Sequence, residues 1–166
     1  NTLILDNLLL LSKFALLRNY PVRIVLDSKL RIRFSCDVLK TSEKYKTWVF
    51  TADDSRPDKE SKLMSMGLEV IKVPKDESGR VSPRHVCEEL FRREITHVLL
   101  EGGGEINSGL LKEGILDKII LFYAPILIGG KGAYNLIGGK GIDFLKDAYK
   151  IDIASVKRFK EDIYLE

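Results

Sequence analysis

Cysteine and histidine are scarce in this chain, with two of each in 166 residues. Cys36 and Cys87 lack metal-ligand spacing, so they read as thiols of a reducing cytosol rather than as a disulfide framework. His85 falls early in a helix and is expected to face solvent, whereas His97 starts a strand. No Cys or Asp cluster stands beside either histidine, so no catalytic metal is expected. Neither a Gly-x-Ser-x-Gly elbow nor a His-Glu-x-x-His motif occurs. No apolar run approaches the roughly 18 residues that a membrane span needs, and no secretory leader is seen. A cytoplasmic protein without a membrane partner is the expectation. Charge of one sign is not in excess either: 27 Lys and Arg against 24 Asp and Glu leave a formal net charge of +3. That is too little to argue for nucleic acid, and the basic residues lack interleaved aromatics. It mildly favours anionic ligands.

What is present is ordinary for a globular domain: 45% hydrophobic and 31% charged residues, enough for one substantial core. Val22 to Leu26 is β-branched and apolar and reads as a strand, as do Thr47 to Thr51 and Leu68 to Val73. Pro57 to Met66 has helical spacing, with Leu63 and Met66 on one face and Gly67 as its stop. After a polar loop from Lys75 to Arg80, Ser82 caps a helix with Pro83 at its first position. Val86, Leu90 and Phe91 are expected to face its core. Val98 to Leu100 is read as a fourth strand, and Lys118 to Ala124 as a fifth. Gly129 to Gly132 and Gly138 to Gly141 are flexible loops. Tyr149 to Phe159 and Ile163 to Leu165 alternate around a charged turn and predict an antiparallel hairpin. The fold class is therefore α/β, a mostly parallel central sheet ending in a C-terminal antiparallel hairpin. The chain, residues 1–166, reads as a single domain. It opens at Asn1 without a methionine, and Thr2 to Leu11 resembles the middle of a structure, so further N-terminal sequence is expected.

The most informative stretch is His97 to Gly114. A short apolar strand leads to a buried-looking acid, Glu101, then three glycines, then a helix carrying Ile106, Leu110 and Leu111. Glycines between strand and helix let the backbone approach a ligand, and a helix start attracts phosphate. The pattern is not the dinucleotide fingerprint, because Asn107 stands where its third glycine belongs, and no Gly-Lys-Ser/Thr makes it a P-loop. The alternative is a tight connection closed by Gly114 as a C-cap. Ser28, just past a strand and beside Asp27, Lys29 and Arg31, suits a phosphate such as a cofactor 2′-phosphate, or is simply a turn serine. Glu101 is either a ligand acceptor or an anchor for turn amides. Asp6 caps a helix or contacts a ligand. Trp48 reads as core. With no nucleophile, acid–base pair or metal in evidence, hydride transfer still fits, because a cofactor supplies the reactivity and the protein aligns two molecules.

Several blocks, in order, resemble one family. They are Thr2-Leu-Ile-Leu-Asp6 with Leu10, Pro21-Val-Arg-Ile-Val-Leu-Asp-Ser-Lys-Leu-Arg31, Leu100-Glu-Gly-Gly-Gly104 with Asn107 and Lys112-Glu-Gly114, and Tyr123-Ala-Pro-Ile-Leu-Ile-Gly-Gly130. The chain resembles the riboflavin-biosynthesis reductases, 5-amino-6-(5-phosphoribosylamino)uracil reductase, which have a dihydrofolate-reductase-like fold. The resemblance implies NADPH as cofactor, contacted by Thr2, Asp6, Ser28 and the turn Gly103, Gly104, Glu105, Ile106, Asn107, Ser108 and Gly109. It implies a phosphorylated aminouracil substrate, lined by Leu10, Lys13 and Glu101, whose ribosyl group is reduced to ribityl. It implies a homodimer, and often fusion to an N-terminal zinc deaminase, whose His-x-Glu and Pro-Cys-x-x-Cys signature is absent from these residues. Asn1, Leu8 and Lys13 stand where the family usually has Gly, Pro and Arg. The family's first strand and helix would precede Asn1, so an incomplete site is expected here. Two other readings fit the same fold: a non-catalytic nucleotide-binding module, and a pteridine or dihydrofolate-type reductase.

Overall fold

The computed structural model describes residues 20–130 and 132–166. The chain divides into two compact units, Asn1–Gly102 and Gly103–Glu166.

The first unit is built on a parallel sheet. Strands β1 (Arg23–Leu26), β2 (Thr47–Ala52) and β3 (Glu69–Val73) lie in the order β1-β2-β3. All six residues of β2 are buried. A parallel strand covered on both faces is mostly apolar, here with Thr47 and Thr51 as its buried polar residues, and period-two geometry sorts its side chains. Val49 goes to one face with Val25, Val38, Leu39, Leu63 and Leu68. Trp48 and Phe50 go to the other with Ile71, Val73, Val86 and Leu90. The first face is covered by α1 (Asp37–Lys40) and α2 (Pro57–Ser65), the second by α3 (Pro83–Arg92). Gly67 at φ +81 follows α2. Ser82 Oγ accepts the His85 N–H at the start of α3, and Pro83 occupies its first turn. The expected core face of α3 needs one change. Pro83, Val86 and Leu90 are buried, but Phe91 is 73% exposed. One residue is a 100° step around a helix, and it carries Phe91 off the narrow buried stripe.

Arg23 ties this unit together from inside. Its guanidinium donates to Thr47 Oγ1, Thr41 Oγ1, Val38 O and Tyr45 O at 2.6–3.0 Å. It also lies 5.1 Å from the Tyr45 ring centre. Burial pulls its pKa below the ordinary value, with Tyr45 and Cys36 opposing. On the other face, Arg93 donates to Glu89, pairs with Glu69 and stacks over Trp48.

The second unit holds α4 (Gly104–Lys112) and an antiparallel sheet. Strands β4 (Leu121–Tyr123), β5 (Val156–Phe159) and β6 (Asp162–Leu165) lie in the order β4-β6-β5. The hairpin is present, turning at Lys160 with φ +56. Phe122, Phe159 and Tyr164 form edge-to-face pairs on one side. Glu166 accepts the Tyr164 hydroxyl at 2.5 Å and pairs with Lys118.

Further sequence expectations change. Residues 98–100 form no strand, and Val98 and Leu99 are exposed. A strand exists through its partner's hydrogen bonds, and no described backbone pairs with this run. The fifth strand is only Leu121–Tyr123, and the first hairpin strand begins at Val156 rather than Tyr149, with Ser155 still exchanging backbone hydrogen bonds with Glu166. In α4 no residue is fully buried.

Arg23→Met tests the buried hub. It strands acceptors that are sealed from water, so the expected loss is about 2–3 kcal/mol in urea unfolding, with a native far-UV spectrum. A loss below about 0.5 kcal/mol, the level of a neutral surface change, would show that the four acceptors find other partners.

Candidate functional site

Two places collect the sequence-predicted residues, one in each unit. In the first unit they lie at the carboxyl ends of the parallel strands. The chain leaves β1 through a tight turn, in which the Leu30 N–H donates to Asp27 O and Leu30 adopts φ +48. Asp27 is 1% exposed. Its Oδ2 accepts the Ile32 N–H at 2.7 Å, and its Oδ1 lies 3.6 Å from Arg31 Nε. Asp27 is thus the internal brace of the turn. Ser28, half-buried on that turn, accepts the Val81 N–H at 2.8 Å through Oγ. Its own O–H remains a donor.

Val81 closes a second loop. Lys75 and Val81 form an antiparallel bridge. Between them Asp76 Oδ1 accepts from Ser78 N, Ser78 Oγ and Arg80 N, an Asx turn that holds its loop rigid. Lys75 reaches back to Asp54 at the end of β2, Nζ to Oδ2 2.5 Å. Asp53, Asp54, Pro74 and Lys75 line a shallow open cleft. Ser28, Asp54 and Lys75 thus come from the ends of three adjacent parallel strands, where α/β folds place ligands. Asp54 and Lys75 were not singled out from the sequence. Their signal was position alone: each follows a strand, as Ser28 does.

In the second unit the site is the start of α4. Gly103 is its N-cap, with no side-chain cap, so the helix start offers backbone donors. The loop 135–139 closes over that start. Gly138 N–H donates to Gly104 O at 2.8 Å, and Asn107 Nδ2 to Leu136 O at 2.7 Å. Gly139 N–H donates to Glu105 Oε1 at 3.2 Å. A Cβ on Gly104 would meet Asn135 O at 2.5 Å, and one on Gly139 would meet Ser108 Oγ at 2.5 Å. Glu105, Asn107 and Ser108 are therefore engaged by the chain's own glycine-rich loop, and Gly104 is required by that close approach. Ile106 and Gly109 are half-buried on the same helix. Gly114 at φ +66 follows α4, as its C-cap reading requires.

Glu101 is exposed and lies on no strand, so the buried-acid reading is corrected. Flanking apolar residues bury an acid only where something covers them, and Leu99 itself is 78% exposed. Thr2, Asp6, Leu10 and Lys13 lie outside the described residues. Among the described residues no three His, Cys, Asp or Glu side chains gather as a metal site. Cys36 and Cys87 are free thiols, half-buried. No described helix is long and apolar enough to cross a membrane.

The sequence pattern of the RibD C-terminal domain matches residues 1–165. The chain belongs to the RibD C-terminal domain family. It is 34% identical over 166 residues to the riboflavin biosynthesis protein RibD of Actinobacillus pleuropneumoniae, covering all of this chain and 43% of that protein. It is 31% identical over 150 residues to the 2,5-diamino-6-ribosylamino-4(3H)-pyrimidinone 5′-phosphate reductase of Aquifex aeolicus, covering 90% of this chain and 65% of that one. RibD of Acinetobacter baumannii superposes with a TM-score of 0.77 at 22% identity, covering 99% of this chain and 43% of that chain. The chain thus spans less than half the length of these RibD proteins. This likeness shows the fold, and the α/β, dihydrofolate-reductase-like class implied by the sequence is the one found.

Gly104→Ala separates the two roles of the RibD-type glycine turn. The added methyl should push residues 135–138 off the helix start, so the Gly138 amide exchanges hydrogen faster while β4 and β6 stay protected. Unchanged protection at Gly138 would mean that the loop closure does not depend on glycine at 104.

Proposed function

We propose that this chain is the NADPH-dependent reductase of riboflavin biosynthesis, converting the ribosyl group of 5-amino-6-(5-phosphoribosylamino)uracil to ribityl. The observation that carries this reading is the match of residues 1–165 to the RibD C-terminal family, with relatives named as a ribosylaminopyrimidinone 5′-phosphate reductase. NADPH, when bound, supplies the hydride that reduces the former C1′ of the sugar. The work left to the protein is binding, alignment and exclusion of water. Ser28 would donate its O–H to the adenosine end of the cofactor while its oxygen stays on Val81 N–H. The uncapped start of α4, from Gly103 to Gly109, would offer backbone donors to the pyrophosphate. Glu101, exposed beside the glycine turn, would orient the substrate by accepting hydrogen bonds from its hydroxyl or amide groups. Thr2 and Asp6 would complete the cofactor contacts, and Leu10 and Lys13 the substrate contacts. Lys13 would meet the substrate phosphate as a point charge, without the fork an arginine offers.

The domain reading stays a single reductase domain, residues 1–166. A fused zinc deaminase accords with the 43% share of RibD that the chain covers, and a cytoplasmic location with the pathway. A homodimer is part of the same proposal. The exposed sheet residues Tyr123, Val156 and Ile163 supply apolar area for it, and sedimentation would measure it.

The deciding assay is oxidation of NADPH with the aminouracil substrate, run beside dihydrofolate. Turnover of the ribosylated pyrimidine is expected. Tight NADPH binding without turnover would identify a nucleotide-binding module, and activity on dihydrofolate alone a pteridine-type enzyme. Glu101→Gln keeps shape and removes charge. It should lower kcat/KM by roughly tenfold or more, the worth of hydrogen bonds to a charged group, and leave NADPH affinity unchanged. Equal loss of both would make Glu101 an anchor of the glycine turn.

A further inference from the structure

The start of α4 has two claimants. The helix's own bonds begin with the Ile106 and Asn107 N–H groups on Gly103 O, so the Gly104 and Glu105 amides stand ahead of the hydrogen-bond ladder. A diphosphate would approach the helix over these two amides. The backbone of residues 135–139 already runs there. A Cβ built on Gly138 would lie 2.9 Å from Gly104 C, 3.0 Å from Glu105 N and 2.9 Å from Glu105 Oε1. Gly138 thus rides directly on the peptide between Gly104 and Glu105, with no room on that side for a further heavy atom. Glu105 adds to the conflict. Its carboxylate accepts the Gly139 N–H at 3.2 Å, and so sets a negative charge beside the place where a phosphate would come.

The contacts that hold these residues down can be given up. The Gly138 N–H donates to Gly104 O at 2.8 Å. The Asn107 Nδ2 bond to Leu136 O and the Gly139 bond to Glu105 both lie at the exposed surface. Tyr134 and Leu136 are exposed, and α4 has no fully buried residue, so no apolar core fastens the loop. Segments with few buried contacts open at low cost. Gly139 and Gly141, both at positive φ, give the loop a place to swing. We infer that residues 135–139 are an autoinhibitory strap, which competes with the cofactor's diphosphate for the start of α4 and must lift before the cofactor binds. This inference rests on the cofactor reading of α4 above.

Gly138→Ala lifts the strap and leaves the residues of α4 unchanged. The added methyl meets helix backbone that cannot yield. Gly138 is not at positive φ, so alanine disturbs the closure and not the local backbone. NADPH is titrated into the full chain and this variant by calorimetry, and amide hydrogen exchange is followed in both. Gly138→Ala should tighten NADPH by roughly two- to tenfold, the factor by which hydrogen bonds of modest net worth keep a site closed, with β4 and β6 as protected as in the wild type. In the wild type, NADPH should speed exchange of the Gly138 and Gly139 amides, a measurement that depends on no variant folding. Slower exchange there on adding NADPH, or a folded variant that binds NADPH no more tightly than the wild type, would overturn the strap while the cofactor reading stands. If NADPH binds neither protein, the cofactor reading fails and this inference with it.

Discussion

Everything in the parallel unit depends on β2 being buried on both faces. Its six residues, Thr47–Ala52, leave nothing to solvent, so two separate apolar layers must form. Val49 draws α1 and α2 onto one side, and Trp48 with Phe50 draws α3 onto the other. Burying this much apolar surface is the dominant favourable term, but it would not set the register of β1 on β2. Arg23 helps set it. Its guanidinium meets Thr47 on the neighbouring strand, together with the carbonyls of Val38 and Tyr45. A buried cation without a carboxylate is tolerable only because several acceptors converge on it.

Fixing the strands fixes their ends. Ser28, Asp54 and Lys75 each follow the last residues of a strand, and the parallel register brings the three strand ends side by side. None of these residues is buried as Arg23 is. They occupy loops that a rigid sheet positions, which is where α/β proteins keep their binding groups. Asp27 belongs to the same turn but serves it differently. Sealed inside, it takes the Ile32 N–H and so fixes the direction in which Ser28 leaves the sheet.

Much of this was legible in the sequence. The three parallel strands, the Ser82 and Pro83 helix start, the Gly67 and Gly114 stops and the closing hairpin all follow from local chemistry, namely β-branched runs, caps and φ > 0 at glycine. What was not legible needs long-range information. Arg23 reads as a surface charge between apolar neighbours, and only the fold shows that Val38, Thr41, Tyr45 and Thr47 surround it. Val98 to Leu100 has strand composition, yet pairing is a property of two segments, not one. Phe91 failed by a single helical step. Glu101 looked buried because its neighbours are apolar, and no local pattern says whether such neighbours are covered.

The glycine turn teaches a further point about inference. Three glycines before a helix suggest that something must come close to the backbone, and something does. At Gly104 and Gly139 the close neighbour is the chain itself, through Asn135 O and Ser108 Oγ. The absence of a Cβ at those two positions is therefore accounted for without a ligand. The weight of the cofactor reading then moves to features that self-packing does not explain. One is the uncapped start of α4 at Gly103, which leaves helix donors without a side-chain cap. The other is the turn after β1, where Ser28 Oγ holds the Val81 N–H and keeps its own O–H as a donor. A hydroxyl donor at the carboxyl end of a parallel strand stands where an α/β sheet meets its ligand.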